Sequence, residues 1–456
     1  MASTGLCIIT PIKKWESGAF RSTTGRFARA LVAAAVLLGG QVGRSDLISS
    51  ASRPDSTLVA FRNVTVLPMD SERVLAHQTV VVRGDRIVAV GDVAETPVPS
   101  GATVVDGTGK YLIPGIADMH VHFPGDTSAI ATENALTLFV AGGVTTIRAL
   151  GAVHRHLAVR DSIAKGKLLG PAVYVAGSGI GALPGNTADL RRVLTPSEIA
   201  RFVAEMKRAG YDFIQVGGST LRGEYEELAN AARKAGIPLT GAVPVDAGLA
   251  RVLHARQASI ENLDGYLESL ERDNSPIRYA DPVTRARRLQ DYYDETKIGK
   301  VAASVRNAGI ANTPTLFINY VNFTPQPAES LANWPEMRYV APRQLEGWKR
   351  QKHRAEDSQT DPDEGARTLA FRNKLTKGLH DAGALILVGS DAPNAFLVPG
   401  FSTLYEIHSL TVAASPVTKP CERPPGAPPS SSTPSGSSAR SPPGCARTWC
   451  SSTPIP

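Results

Sequence analysis

Two histidines one residue apart, His120 and His122, are the residues of this chain best suited to chemistry. They end an apolar segment that begins at Leu112 and contains Pro-Gly, a composition that predicts a buried strand. Side chains two positions apart leave a strand on the same side, so both imidazoles would face one point, as two ligands of one metal ion do. Two histidines that only pack at a strand end are the alternative, and the pair alone does not exclude it.

The elements that must position this pair follow two patterns. From Ser56 to about Lys110, short alternating strands with a tight turn at Gly84-Asp85 predict a small β domain over residues 56–111. From residue 112 to 414, strands alternate with amphipathic stretches, which predicts a (β/α)8 TIM-type barrel of α/β class. The predicted barrel strands are 112–121, 143–149, 171–176, 211–217, 237–243, 257–263, 311–317 and 384–391. A doubly wound open sheet is the competing layout, but the chain has no Gly-x-Gly-x-x-Gly fingerprint to support it.

The chemistry of such a barrel lies at the carboxyl ends of its strands. His120 and His122 fall at the end of the first predicted strand, and Asp391 falls at the end of the last. All three side chains therefore fall where such a barrel has its chemistry.

Charge and cysteine content exclude several classes of protein. The net charge is +7, but the excess lies at the two ends, and residues 46–414 carry 39 basic against 40 acidic side chains. This balance gives no phosphate-binding surface, so nucleic acid is not expected as a partner. All four cysteines lie outside that range, so the body of the chain has neither a disulfide framework nor a cysteine zinc site. They are Cys7, Cys421, Cys445 and Cys450.

The first 45 residues have the features of an export signal. Basic residues between Lys13 and Arg29 precede an apolar run, Ala30 to Leu38, and then Gly39-Gly40. The run is too short to span a bilayer, so no integral membrane span is predicted. We expect residues 1–45 to be a signal peptide that directs export to the periplasm or the extracellular space; a disordered basic leader is the alternative.

Several sequence motifs in this order resemble the amidohydrolase superfamily, in particular its imidazolonepropionase-like and prolidase-like members. The matching segments are 86–91, 106–115, 118–122, 143–148, 210–214, 259–261 and 387–394, among them Asp118-Met-His-Val-His122, Ile147-Arg148, Ile260-Glu261 and Leu387-Val-Gly-Ser-Asp391. The resemblance implies metal-dependent hydrolysis of carbon–nitrogen bonds in small, non-peptide or dipeptide-like substrates. It also implies that an aspartate after the eighth strand accepts a proton from the attacking water.

Only three of the family's six usual metal-ligand positions are retained, by His120, His122 and Asp391. Gln215 stands where the resemblance implies a carboxylated lysine, and Ala242 and Asn262 stand where it implies histidines. A neutral amide supplies no anionic bridge between two cations, so a binuclear centre is not expected.

We therefore predict at most one divalent ion. Two histidines and one carboxylate are a known set of zinc ligands, so zinc is the expected metal. Asp391 would be both a metal ligand and the catalytic proton acceptor. His154 or His156 could lend a further imidazole; a solvated loop is the alternative interpretation of that pair. A catalytically inactive relative that binds a small ligand, or a decayed product, is the alternative to an active hydrolase. The sequence gives no oligomeric state.

The last 42 residues, 415–456, contain 11 prolines and 10 serines without periodicity, which predicts a disordered tail. If GC-rich codons are chosen for this stretch, a shift of one nucleotide permits sequences like the family's usual closing helix and final strands. We therefore expect the tail to be out of frame. The small domain, of the kind that forms a β-sandwich in the family, would then be incomplete.

Overall fold

The computed structural model describes residues 6–9, 57–124, 128–179, 194–280, 284–285, 288–358, 361 and 363–414. The predicted tail, 415–456, lies outside the described residues. Of the predicted leader, only Leu6–Ile9 is described, as a short strand. The signal peptide and the out-of-frame tail therefore stay predictions.

The small N-terminal domain is a six-stranded sheet. Its strands are β1 (Leu6–Ile9), β2 (Leu58–Val66), β3 (Leu75–Arg83), β4 (Arg86–Asp92), β5 (Thr103–Asp106) and β6 (Tyr111–Pro114). The order is β1-β6-β2-β3-β4, and β5 pairs with β2. Gly84, at φ 57°, makes the turn between β3 and β4. Val64, Val80 and Leu112 form the buried core of this sheet, whereas Val88 and Val90 of the edge strand β4 are 47% and 49% exposed.

Seven parallel strands form most of the barrel, each hydrogen-bonded to the next along the chain. They are β7 (Ile116–Val121), β8 (Val144–Ala152), β9 (Ala172–Ser178), β10 (Phe213–Val216), β11 (Leu239–Gly241), β12 (Ser259–Glu261) and β13 (Ala311–Thr313). The eighth position is taken by residues 384–392, which pair with β13 through Asn312 and Ile386 and with β7 through Val121 and Ala392. This arrangement confirms the predicted (β/α)8 fold with a small β domain before it.

The first and eighth predicted strands differ from the structure in detail. The predicted strand 112–121 is divided at Gly115, so that β6 joins the small sheet and β7 begins the barrel. A Cβ on Gly115 would lie 2.1 Å from Thr145 Oγ1, so only glycine allows this close approach. The eighth segment forms isolated bridges rather than a continuous strand. Gly389 lets this segment approach β7, since a Cβ there would lie 2.6 Å from His120 Cβ.

The helices pack outside the barrel strands. They are α1 (Ala129–Ala141), α2 (His154–Ala164), α3 (Pro196–Ala209), α4 (Arg222–Ala235), α5 (Leu249–Ala255), α6 (Tyr266–Ser269), α7 (Ile298–Ala308), α8 (Leu316–Phe323), α9 (Ala328–Ala332), α10 (Pro342–Ser358), α11 (Glu364–Asp381) and α12 (Phe401–Ala414). Two large apolar clusters fill the space between helices and strands. Within the described ranges, none of these helices is long and apolar enough to cross a membrane.

The last described helix, α12, is tied to the barrel by buried polar contacts. Thr403 Oγ1 donates to Asp118 Oδ2 at 2.6 Å, and Ser390 N donates to Asp118 Oδ1 at 2.9 Å. Glu406 accepts from Leu316 N and Phe317 N at the start of α8. Complete burial raises the pKa of Glu406 to about 8. These contacts hold α12, the first barrel strand and the closing segment together.

Candidate metal centre

Backbone hydrogen bonds that close the barrel bring the three predicted ligands together. Asp391 N donates to His120 O at 2.7 Å, and His122 N donates to Ala392 O at 2.8 Å. Asp391 Oδ1 then lies 2.9 Å from His122 Nε2 and 3.5 Å from His120 Nε2. Thus His120, His122 and Asp391, which are far apart in sequence, meet at one point at the carboxyl end of the barrel.

The second ring nitrogen of each histidine has its own acceptor. His120 Nδ1 lies 2.9 Å from Glu261 Oε2, and His122 Nδ1 lies 3.1 Å from the carbonyl oxygen of Leu150. Because both partners are acceptors, each Nδ1 carries the hydrogen, and each Nε2 is directed at Asp391. Metal-bound histidines are oriented in this way, by a carboxylate or a carbonyl behind the ring.

Glu261 is held in its ionised form by the groups around it. Its Oε1 accepts from Arg148 at 2.6 Å, from Ser259 Oγ at 2.6 Å and from Thr240 Oγ1 at 2.8 Å. Burial alone would raise the pKa of Glu261, but the charge of Arg148 and the bond with His120 lower it to about 2. The carboxylate therefore remains a fixed acceptor behind His120.

Arg148 is 1% exposed and lies in the interior of the barrel. Its Nε donates to Met119 O at 2.7 Å, and its guanidinium lies over the ring of Phe213, 5.5 Å from the ring centre. The sequence places Arg148 and Glu261 in motifs that match the family but indicates no role for either residue. A charged residue inside an apolar strand is the signal that could have identified them, because a buried charge requires a partner.

The carboxylate of Asp391 remains ionised between the two rings. Burial raises the pKa of Asp391, but the neighbouring rings of His120 and His122 outweigh this effect and hold the pKa below its ordinary value. Asn394 Nδ2 donates to Asp391 Oδ1 at 2.9 Å and to the Asp391 carbonyl at 2.8 Å. Asp391 has φ 60°, a conformation that costs energy for a residue other than glycine and is often found at functional sites.

Comparison with known proteins places this chain in a family. The model of the amidohydrolase family matches residues 111–408, about two thirds of the chain. The chain belongs to the amidohydrolase family. This result confirms the resemblance found in the sequence.

Two solved structures have a similar fold, and one curated relative has a similar sequence over part of its length. A bottromycin amidohydrolase structure is 23% identical, with a TM-score of 0.59, and covers 85% of this chain and 81% of that one. A Xaa-Pro dipeptidase structure with bound methionine is 17% identical, with a TM-score of 0.54, and covers 79% and 85%. A dihydroorotase of Bacillus licheniformis is 33% identical over 92 residues, so the match spans only 20% of each chain.

Gln215, Ala242 and Asn262, at the other three ligand positions, do not form a second set of metal ligands in this amidohydrolase. Gln215 Oε1 accepts from Gly151 N at 2.5 Å, and Asn262 Oδ1 accepts from Thr315 Oγ1 at 2.8 Å. Ala242 has no donor atom in its side chain. Across the described ranges, His120, His122 and Asp391 are the one group of three or more His, Cys, Asp or Glu residues whose ligand atoms lie within 4.8 Å of one another.

The three donors fit a single divalent ion. Two imidazole nitrogens and one carboxylate oxygen are a known catalytic zinc set that leaves a position open for water. Zinc bonds of about 2.0–2.1 Å at tetrahedral angles separate neighbouring ligand atoms by roughly 3.3 Å. The observed separations of 2.9 and 3.5 Å between Asp391 Oδ1 and the two Nε2 atoms are close to that distance.

The remaining histidines lie outside this group. His156 is 6% exposed on α2, so the solvated-loop interpretation is wrong for this residue. Its Nδ1 accepts from Val153 N at 3.1 Å, and its ring stacks on Phe123 at 4.0 Å. His154 is exposed at the start of α2, and His254 is exposed on α5. His156 thus packs beside the residue that follows His122.

Substitution of Glu261 by Gln is expected to weaken zinc binding by about 10–100-fold, because the carboxylate behind His120 is lost. The dissociation constant can be measured by competition with a fluorescent zinc chelator. Glu346→Gln, an exposed carboxylate on α10, is the matched control and should leave zinc affinity unchanged.

Removal of the charge of Glu261 also leaves Arg148 buried without its partner, which could unfold the protein. The double variant Glu261→Gln with Arg148→Met removes both charges and keeps the test interpretable. Zinc affinity equal to that of the wild type in a folded double variant would contradict the positioning role of Glu261.

Acid is expected to destabilise the fold through His156. Burial, followed by the charge of Arg155, lowers the pKa of His156 from 6.5 to about 4. Between these values the unfolded chain takes up a proton that the folded chain does not, so stability falls as pH decreases from about 6.5 towards 4. His156→Gln should therefore reduce the decrease in unfolding free energy between pH 7 and pH 5. Urea denaturation measures this change, with His254→Gln as the exposed control; equal slopes for His156→Gln and wild type would contradict the prediction.

Proposed function

We propose that this chain is a hydrolase that cleaves carbon–nitrogen bonds of small molecules with water activated at His120, His122 and Asp391. The observation that carries the proposal is the orientation of both imidazoles. Each has an acceptor behind Nδ1 and directs Nε2 at the same carboxylate oxygen. Membership of the amidohydrolase family supports it.

One divalent ion, zinc by the donor set, would lower the pKa of a bound water and so supply hydroxide near neutral pH. The two oxygens of Asp391 can divide the remaining work. Oδ1 faces both Nε2 atoms and accepts from Asn394, which suits a ligand atom. Oδ2 has no hydrogen-bond partner among the described residues and is the oxygen on which we place the proton taken from the water. That proton then passes to the leaving nitrogen.

The residues behind the ligands keep this geometry during the reaction. Glu261 and the carbonyl of Leu150 prevent rotation of the two rings. The positive charge of Arg148 neutralises the negative charge of Glu261. Glu261 therefore stays ionised and does not take a proton from the water. Proton transfer is therefore directed to Asp391 and not to the buried carboxylate.

We propose amides of amino acids as the substrate class, either dipeptides or N-acyl amino acids. Two solved structures share this fold, and their names, bottromycin amidohydrolase and Xaa-Pro dipeptidase, denote hydrolysis of an amide and of a dipeptide. The near-neutral charge of residues 46–414 suits a small-molecule substrate and not nucleic acid. We propose that hydrolysis takes place outside the cytoplasm, on the basis of the basic and apolar pattern of residues 1–45.

Zinc-loaded protein is expected to hydrolyse members of a panel of Xaa-Pro dipeptides and N-acyl amino acids. Asp391→Asn should lower kcat by at least about 100-fold, because the proton acceptor is lost. Release of the free amine can be followed with ninhydrin or by mass spectrometry. Asp381→Asn, an exposed carboxylate paired with Lys377 on α11, is the matched control and should be fully active.

Full activity of Asp391→Asn would contradict the assigned role of this residue. Absence of turnover across the panel, with zinc bound and the protein folded, would favour the alternative of a ligand-binding relative without catalysis.

A further inference from the structure

We propose that Gln215 is a substrate-binding residue whose side-chain amide donates a hydrogen bond from Nε2 to the carbonyl oxygen of the bond being cleaved. The proposal rests on the hydrolase function proposed above and assigns a role to a residue outside the group of metal-binding candidates.

The side chain of Gln215 points into the barrel. On β10, Ile214 and Val216 belong to the apolar cluster between the barrel and its helices. Phe213 belongs instead to the small cluster inside the barrel and lies under Arg148. Because side chains alternate along a strand, Gln215 shares the inner face with Phe213 and lies nearer the carboxyl end. That end is where His120 and His122 meet Asp391.

The orientation of the amide is fixed by a backbone donor. Gly151 N lies 2.5 Å from Gln215 Oε1. An N–H can bond only to the oxygen of a side-chain amide, so the Nε2 group must face away from Gly151. A Cβ on Gly151 would lie 3.8 Å from both Gln215 Oε1 and His122 Nδ1, so the amide and the imidazole flank the same glycine.

The donor side of the amide is available to a ligand. Within the described part of the chain, no protein group accepts a hydrogen bond from Gln215 Nε2. Gln215 is only partly buried, and its Nε2 does not belong to the polar atoms sealed from solvent without a partner. In the part of the chain that the structure describes, the Nε2 group therefore has no protein acceptor and lies on the side of the amide that faces away from Gly151.

A neutral donor in this place matches the charge that forms during hydrolysis. Attack of water forms a carbon–oxygen bond, and the π electron pair moves to the carbonyl oxygen. The pair returns as the carbon–nitrogen bond breaks, and the proton held by Asp391 goes to the leaving nitrogen. An N–H aimed at the oxygen stabilises its transient negative charge, an effect worth about 10²–10³ in kcat for one such donor.

Two variants distinguish a hydrogen bond from Gln215 to the substrate from a purely structural role, in which Gln215 only accepts a hydrogen bond from Gly151 N. Gln215→Glu keeps an oxygen that can accept from Gly151 N, but replaces the donor by a second acceptor. Gln215→Met removes both functions at nearly the same volume. We expect each to lower kcat/KM towards a neutral amide substrate by about 100-fold, compared at one bound zinc per chain. Gln215→Met should also melt at a lower temperature than Gln215→Glu, because Gly151 N loses its acceptor. Gln344→Met, exposed on α10, is the matched control.

Binding of methylphosphonate, a tetrahedral oxyanion, tests the donor without turnover. In calorimetric titrations of zinc-loaded protein, Gln215→Met should bind methylphosphonate at least 10-fold more weakly than wild type and Gln344→Met. If no substrate is hydrolysed, this titration still decides the role of Gln215. Wild-type kcat/KM in Gln215→Glu would reduce the amide to a support for Gly151 and overturn the proposal. Equal methylphosphonate affinity in wild type and Gln215→Met, or none in either, would also overturn it.

Discussion

The candidate metal centre depends on closure of the barrel between its first strand and the segment 384–392. Asp391 N bonds to His120 O, and His122 N bonds to Ala392 O, so the same contacts that complete the ring place a carboxylate between two imidazoles. Asp118 reinforces this closure from within, since it accepts from Ser390 N on one side and from Thr403 of α12 on the other. Any change that opens this seam separates Asp391 from both histidines. Fold and chemistry are thus fixed by one set of hydrogen bonds.

A buried series of contacts between charged and titratable side chains orients the residues of the candidate metal centre. Arg148 holds Glu261, Glu261 holds Nδ1 of His120, and Nε2 of His120 faces Asp391. Each buried charge has a partner of opposite sign, which is the condition for charges to remain ionised in an apolar interior. No side chain at the other three ligand positions of the family is charged, because Gln215 and Asn262 are neutral amides and Ala242 has no polar side-chain atom. A centre with one carboxylate and no charge at these positions favours one cation over two.

The sequence was sufficient to predict the barrel and the three residues that converge. His120 and His122 lie two apart on a strand, and Asp391 ends another, so strand periodicity and barrel topology together predict their meeting. It was not sufficient to divide 112–121 at Gly115, because that break depends on the approach of Thr145, a contact made only in the folded chain. For the same reason it gave no partner for Glu261 and no burial for His156, whose environment is set by Phe123 and the start of α2. These side-chain contacts join residues that are far apart in the sequence, and the local sequence pattern does not specify which side chains meet.

The most direct test is the metal content of the full chain purified without chelator, measured by plasma mass spectrometry beside His120→Ala and His254→Ala. A folded wild type should contain about one divalent ion per chain, as expected for a single three-residue zinc set. The ion should be lost in His120→Ala and retained in His254→Ala, whose histidine is exposed on α5. No bound metal in a folded wild type, or an ion retained in His120→Ala, would contradict the account.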